Sequence, residues 1–184
     1  MSSRTPKRMP RPATLRVGGA SEILAVLDSF GVDPREVLNE AGIDPAMFDN
    51  PGNIITYAAR DRLFKHCVAK TGCQHFGLLV GQRMDLPSFG LVGLLMKTSP
   101  TVGDALRSLV NFLHLHSQGA VATLGQDGDL AVLAYDAFES GLEATDQTGD
   151  GAVAMMLNML RTLCGPDFRP KEASFAHRRP DDIE

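Results

Sequence analysis

The chain has 184 residues, a length that suits one domain with a real hydrophobic core. Its composition, 43% hydrophobic and 22% charged, is ordinary for a globular protein, and no apolar run reaches the roughly 20 residues needed to cross a bilayer. Three scattered cysteines exclude a disulfide framework and point to a reducing, cytoplasmic setting, while a net charge of −4 argues against a nucleic-acid surface here.

Charge is unevenly spread. Arg4, Lys7, Arg8, Arg11 and Arg16 face no acid within the first twenty residues, whereas the remainder carries 13 basic and 22 acidic side chains, a balance of −9. With Pro6, Pro10 and Pro12 and no apolar periodicity, residues 1–18 read as a disordered basic arm, and residues 19–184 as the domain. Two or three short helices are expected over residues 21–48. Gly31-Val32-Asp33-Pro34 and Gly42-Ile43-Asp44-Pro45 punctuate them with one repeated logic: a glycine stop, an aspartate cap and a proline at the first helical position.

Asn50-Pro51-Gly52-Asn53 is a turn, after which Thr56 caps a helix from Tyr57 to about Thr71. Leu63, Phe64, Cys67 and Val68 share its inner face, and Gly72 closes it. A further helix passes through Phe76, Leu79 and Val80, with Gly77 and Gly81 four apart to admit a close neighbour. Phe89–Met96 reads as core. From Thr101 to about Ser117 the apolar series Val102, Ala105, Leu106, Leu109, Val110 and Leu113 predicts an amphipathic helix, opened by a Thr101–Asp104 capping pair.

Asp127-Gly128 between two apolar runs predicts a hairpin of residues 120–126 and 129–136, with Leu124 facing Ala131, Ala122 facing Leu133 and Ala120 facing Tyr135. Both faces are largely apolar, so one calls for a helical cover and the other for partial shielding. The segment from Asp146 to Cys164 reads as a helix apolar over most of its circumference, with Ala154, Asn158 and Arg161 as its solvent stripe. Beyond Gly165, alternation of Ala173, Phe175 and His177 predicts a short strand, and Asp181–Glu184 the first turn of another helix. The expected fold class is α+β: an N-terminal helical region packed on a small antiparallel sheet containing the 120–136 hairpin, with a central buried helix.

Chemistry-bearing motifs are sparse. The sequence contains no Gly-x-Ser-x-Gly elbow, Walker loop, Gly-x-Gly-x-x-Gly or His-Glu-x-x-His, so no catalytic residue is assigned. His66, Cys67, Cys73 and His75 are metal-ligand types, but adjacent helical positions point about 100° apart and do not converge on one ion. No metal or cofactor is therefore expected. His114 falls on the polar stripe of its helix and His116 on the apolar one, where a buried imidazole needs a partner. Methionine adapts to irregular apolar ligands. A ligand pocket is accordingly placed between the sheet and the helices, lined by Leu95, Met96, His116 and Met156.

Gly165-Pro-x-Phe168-x-Pro170, followed by Phe175-x-His177-x-x-Pro180, resembles a signature of the AraC-type bacterial transcriptional regulators, in their N-terminal arabinose-binding domain. Ser21–Asp44, with its Gly-x-Asp-Pro punctuation, and Phe89–Gly119 also resemble that family, in the same order. The resemblance implies a cytoplasmic domain that binds a small-molecule effector, forms a homodimer and touches DNA only through a C-terminal helix-turn-helix module absent from this chain. It implies no membrane partner, and the domain's label does not fix arabinose as ligand. The alternative is a stand-alone small-molecule, haem or redox sensor using the buried histidine or thiols.

Overall fold

A computed structural model describes residues 12–178. In chain order they form β1 (Thr14–Arg16), α1 (Glu22–Ser29), α2 (Pro34–Glu40), β2 (Ile54–Thr56), α3 (Tyr57–Thr71) and α4 (Phe76–Arg83). There follow α5 (Leu91–Lys97), α6 (Val102–Phe112), β3 (Ala120–Asp127), β4 (Leu130–Ala137) and α7 (Thr145–Cys164). Single 3-10 turns at Gly18–Ser21, Pro45–Asp49, Leu86–Phe89 and Leu113–Leu115 connect them. The expected α+β class holds, with helices packed on small antiparallel ladders.

Local chemistry accounts for most boundaries. Asp33 and Asp44 accept hydrogen bonds from the backbone N–H groups of Arg35 and Ala46, both at 2.9 Å, and Pro34 and Pro45 sit just inside the elements they open. Thr56 Oγ1 accepts from Ala59 N at 3.1 Å to start α3, and Thr101 Oγ1 accepts from Asp104 N at 3.1 Å to start α6. Helix α6 buries Ala105, Leu106 and Leu109 along the expected stripe; it stops at Phe112 and tightens into the 3-10 turn that carries Leu113.

Three apolar clusters make up the core. Ile23, Leu27, Val37, Leu38, Leu63, Phe64 and Phe76 join α1–α4. Val92, Met96, Leu106, Leu109, Met155 and Met159 join α5, α6 and α7 under the β3–β4 hairpin. Leu15, Val17, Ile55 and Tyr57 form the third, around the short β1–β2 ladder.

Helix α7 is the central strut, and it lies against α4 at backbone distance. A Cβ built at Gly77 would fall 2.0 Å from the Gln147 carbonyl oxygen, and one at Gly81 would fall 2.2 Å from that of Gly151. This approach overturns the expected solvent stripe of α7. Ala154 is buried, and Asn158 Nδ2 donates to the carbonyls of Gln82 (2.8 Å) and Met84 (3.0 Å) at the end of α4. Without side chains between the two helices, α7 reaches the polar end of its neighbour directly.

Five other expectations change. Residues 1–11 of the proposed arm lie outside the described residues, but Thr14–Arg16 form β1, antiparallel to β2 with Leu15 opposite Ile55. Ala13, Leu15 and Val17 are buried in an alternation too short to register as periodicity. The hairpin turns at Gly128-Asp129 instead of Asp127-Gly128, so Leu124 faces Leu133 and Ala122 faces Tyr135. Gly128 has φ +56° while no non-glycine residue among the described ones has positive φ, which fits a two-residue turn with glycine first. The slip is two residues, so the inward and outward faces keep their identities.

The outer hairpin face is not shielded: Val121 and Val132 are exposed. On α5, Val92 and Met96 are buried, but Leu91 and Leu94 point outward, so Phe89–Met96 is only half core. Beyond α7, the glycine stop at Gly165 holds, yet Ala173–His177 form no strand. A strand requires a paired edge, and this segment faces β4 across a cleft of about 260 Å³. The expected turn at Asp181–Glu184 lies outside the described residues.

Candidate functional site

The three clusters meet at a cavity, and its volume is about 70 Å³ when only the centre of a water-sized sphere is counted. One water needs roughly 10–15 Å³ on that measure. Ile23, Phe64, Val80, Met84, Phe89 and Met155 supply apolar walls, and Tyr57, Arg60, His116, Ser117, Tyr135 and Thr148 supply polar groups.

Strand β1 is the rail that assembles it. Leu15 pairs with Ile55 on one side and bridges to Ser117 on the other. Arg16 N donates to His116 O at 2.9 Å, Gln118 N donates to Thr14 O at 2.7 Å, and Tyr57 N donates to Ala13 O at 3.0 Å. These bonds bring the start of α3 beside residues 116–118. Buried there, the Tyr57 hydroxyl shares a short hydrogen bond with Ser117 Oγ and a 3.3 Å contact with the Tyr135 hydroxyl.

Arg60 reaches in from α3. Its guanidinium carbon lies 4.5 Å from the Tyr57 ring centroid and 6.0 Å from that of Phe64, within cation–π range. Nη2 donates to Thr148 Oγ1 at 3.1 Å. Nε is buried without a hydrogen-bond partner among the described residues, and so is Nδ1 of His116. The His116 ring stacks at a tilt on Phe89, centroids 4.8 Å apart, and is 9% exposed.

The electrostatics are one-sided. Among the described residues, Arg16 and Arg60 are the charged side chains lining the cavity, with no carboxylate beside them. Burial lowers the His116 pKa to about 4, and the charges of Arg60 and Arg16 push the same way, so its imidazole is neutral at pH 7. Burial raises the Tyr135 phenol, against the opposing pull of Arg60. The site is therefore a low-dielectric pocket that presents hydroxyls, a neutral imidazole and a fixed positive charge.

Of the four residues expected to line a pocket, His116 alone borders this cavity. Met156 lines the cleft between β4, α7 and residues 174–177. Met96 is fully buried in the α5–α7 core, and Leu95, on α5, lines neither cavity. Sequence reasoning missed Tyr57, Arg60 and Tyr135. The signal was present: Tyr57, Arg60 and Phe64 stand at i, i+3 and i+7, so an arginine interrupts the inner stripe of α3.

Among the metal-ligand types, Cys67 sits in the core, where burial pushes its thiol up to about 12, and His66 lies 3.5 Å from Glu40 on the surface. No group of three or more His, Cys, Asp or Glu side chains converges among the described residues. No helix among them is long and apolar enough to cross a membrane.

Comparison with known proteins places this chain in a family. The chain is 23% identical over 154 residues to the HTH-type transcriptional regulator VirS of Mycobacterium tuberculosis, covering 83% of this chain and 45% of that protein. It is 21% identical over 165 residues to the ornithine utilization regulator of Pseudomonas aeruginosa, covering 89% and 48% respectively. The chain thus spans about half the length of the curated relatives it matches. Residues 31–184 match the model of the arabinose-binding N-terminal domain of AraC transcription regulators, and the chain belongs to that family.

Proposed function

We propose that this chain is the effector-sensing and self-associating part of an AraC-type regulator, with DNA bound by a separate C-terminal helix-turn-helix module. A small metabolite occupies the cavity where the three core clusters meet. One observation carries the reading: Arg60 and His116 line that cavity, and their buried Nε and Nδ1 have no hydrogen-bond partner among the described residues. Leaving a buried polar group unpaired costs about 1–3 kcal/mol, which a ligand supplying the missing bond relieves. The names of the relatives, a transcriptional regulator and a utilization regulator, support a regulatory role over a catalytic one.

The mechanism is linkage. Helix α3 carries Tyr57 and Arg60, β1 ties them to residues 116–118, and α7 closes the cavity with Thr148 and Met155. A ligand that binds one arrangement of these elements more tightly shifts the population toward it, and with it the presentation of attached DNA-binding modules. In this reading the protein works in the cytoplasm as a homodimer, without a resident cofactor.

Thermal denaturation across a metabolite library tests the reading. A ligand at 100 times its Kd stabilises by about 2.7 kcal/mol, a readily measured rise in Tm. Sedimentation analysis with and without the hit reads self-association. A library that moves neither Tm nor assembly state overturns the proposal.

A further inference from the structure

The geometry points to a small organic acid as the effector, its carboxylate held by Arg60 and His116 and its apolar body lying against Ile23, Phe64, Val80 and Met155. This rests on the reading of the cavity as the effector site and narrows the ligand class.

Four observations converge. The chain as a whole is acidic, with a net charge of −4, yet the charged residues of the cavity lining are two arginines with no acid among them. Arg60 makes no ion pair among the described residues, although buried or half-buried arginines are normally matched by a carboxylate. Nearby carboxylates are engaged elsewhere: Asp61 accepts from Glu143 N and Ala144 N, and Asp150 from His177. Arg60 and His116 both line the cavity, and their buried Nε and Nδ1 lack a hydrogen-bond partner among the described residues; each can donate to a carboxylate oxygen, His116 in its Nδ1–H tautomer.

The ring stacking fixes the arginine instead of satisfying it. Tyr57 and Phe64 hold the guanidinium in place, and Thr148 Oγ1 and the Tyr135 hydroxyl engage it by hydrogen bonds, while Nε has no partner among the described residues. A neutral ligand would leave that charge uncompensated in an apolar enclosure. A cationic ligand would be repelled by it.

Isothermal titration calorimetry on the 184-residue chain at pH 7.5 decides the matter, using butyrate, hexanoate and benzoate against their primary amides and the corresponding amines. The expected result is saturable binding of at least one acid, with its amide about ten-fold or more weaker and its amine weaker still. Arg60→Gln abolishes the preference of acid over amide, and Arg60→Lys keeps it at lower affinity. Should Arg60→Gln fail to fold, the His116 imidazole resonances of the unmutated protein serve instead, shifting on addition of the acid and not of the amide. An amide or amine that binds as well as its acid overturns the carboxylate assignment, and so does acid binding undiminished in folded Arg60→Gln. If no acid binds but a neutral or cationic library compound raises Tm, the carboxylate assignment falls and the effector reading stands. If nothing binds in either experiment, both fall.

Discussion

Gln147 and Gly77 meet twice: the Gln147 side-chain oxygen accepts from Gly77 N at 2.8 Å, and the Gln147 carbonyl lies where a Gly77 Cβ would stand, 2.0 Å away. Gln147 Nε2 also donates to Gln74 O at 2.7 Å, so one α7 side chain serves the start of α4 while Asn158 serves its end. Gly77→Ala and Gly81→Ala must therefore part the helices and break both sets of bonds. Each is expected to cost about 3 kcal/mol or more in urea denaturation. Gly149→Ala is the control: it meets nothing within 4 Å inside α7 and should be neutral or stabilise by about 0.5–1 kcal/mol.

The N-cap position of α7 is Ala144, whose methyl group cannot accept a hydrogen bond, and Asp61 of α3 ties down the backbone leading into the helix. Its carboxylate accepts from Ala144 N at 2.8 Å and from Glu143 N at 3.0 Å while itself buried. Asp61→Ala leaves two donors unpaired and should cost about 1–3 kcal/mol, with faster amide exchange at residues 143 and 144. Asp61→Asn, which keeps one acceptor oxygen, should lose less.

The neutral state of His116 couples stability to pH. Its folded pKa, about 4, lies below the ordinary value of 6.5, so the unfolded chain takes up the proton first. Stability from this residue is full above pH 6.5 and drains away as pH falls toward 4, on the order of 3 kcal/mol in all. Urea denaturation at a series of pH values should show His116→Gln losing less stability over that window than the unmutated protein.

His177 titrates in the opposite sense. Its pKa is raised by the backbone bond to Arg178 and by Asp150, whose Oδ1 lies 2.6 Å from Nε2. The contact is at full strength below pH 6.5 and weakens as pH climbs through the raised value. It pins residues 174–177 onto α7, so proteolytic nicking after α7 should be slower at pH 6 than at pH 9. His177→Ala should abolish that difference and, by stranding buried Asp150, cost about 1–3 kcal/mol.

Thiol titration should find one fast cysteine. Cys164 is exposed at the end of α7, while Cys67 and Cys73 are buried. With the Cys67 thiol pushed up to about 12, a disulfide reagent should modify Cys164 in the native protein and the other two only on unfolding.

The features legible in the chain itself were those written within a few residues. The Asp-Pro caps, the Thr56 start, the α6 stripe and the α4 glycines each need only an i to i+4 window, and all appear where the residues imply. Tertiary structure decided everything that spans the chain. β1 exists because Leu15 finds Ile55 and Ser117, partners that leave no mark on a three-residue segment. Ala173–His177 alternate like a strand but have no edge to pair with, since β4 lies across a cleft. His116 could be read as buried from its helical phase. Its convergence with Tyr57, Arg60 and Tyr135 could not, because their side chains meet only after β1 has joined segments about a hundred residues apart along the chain.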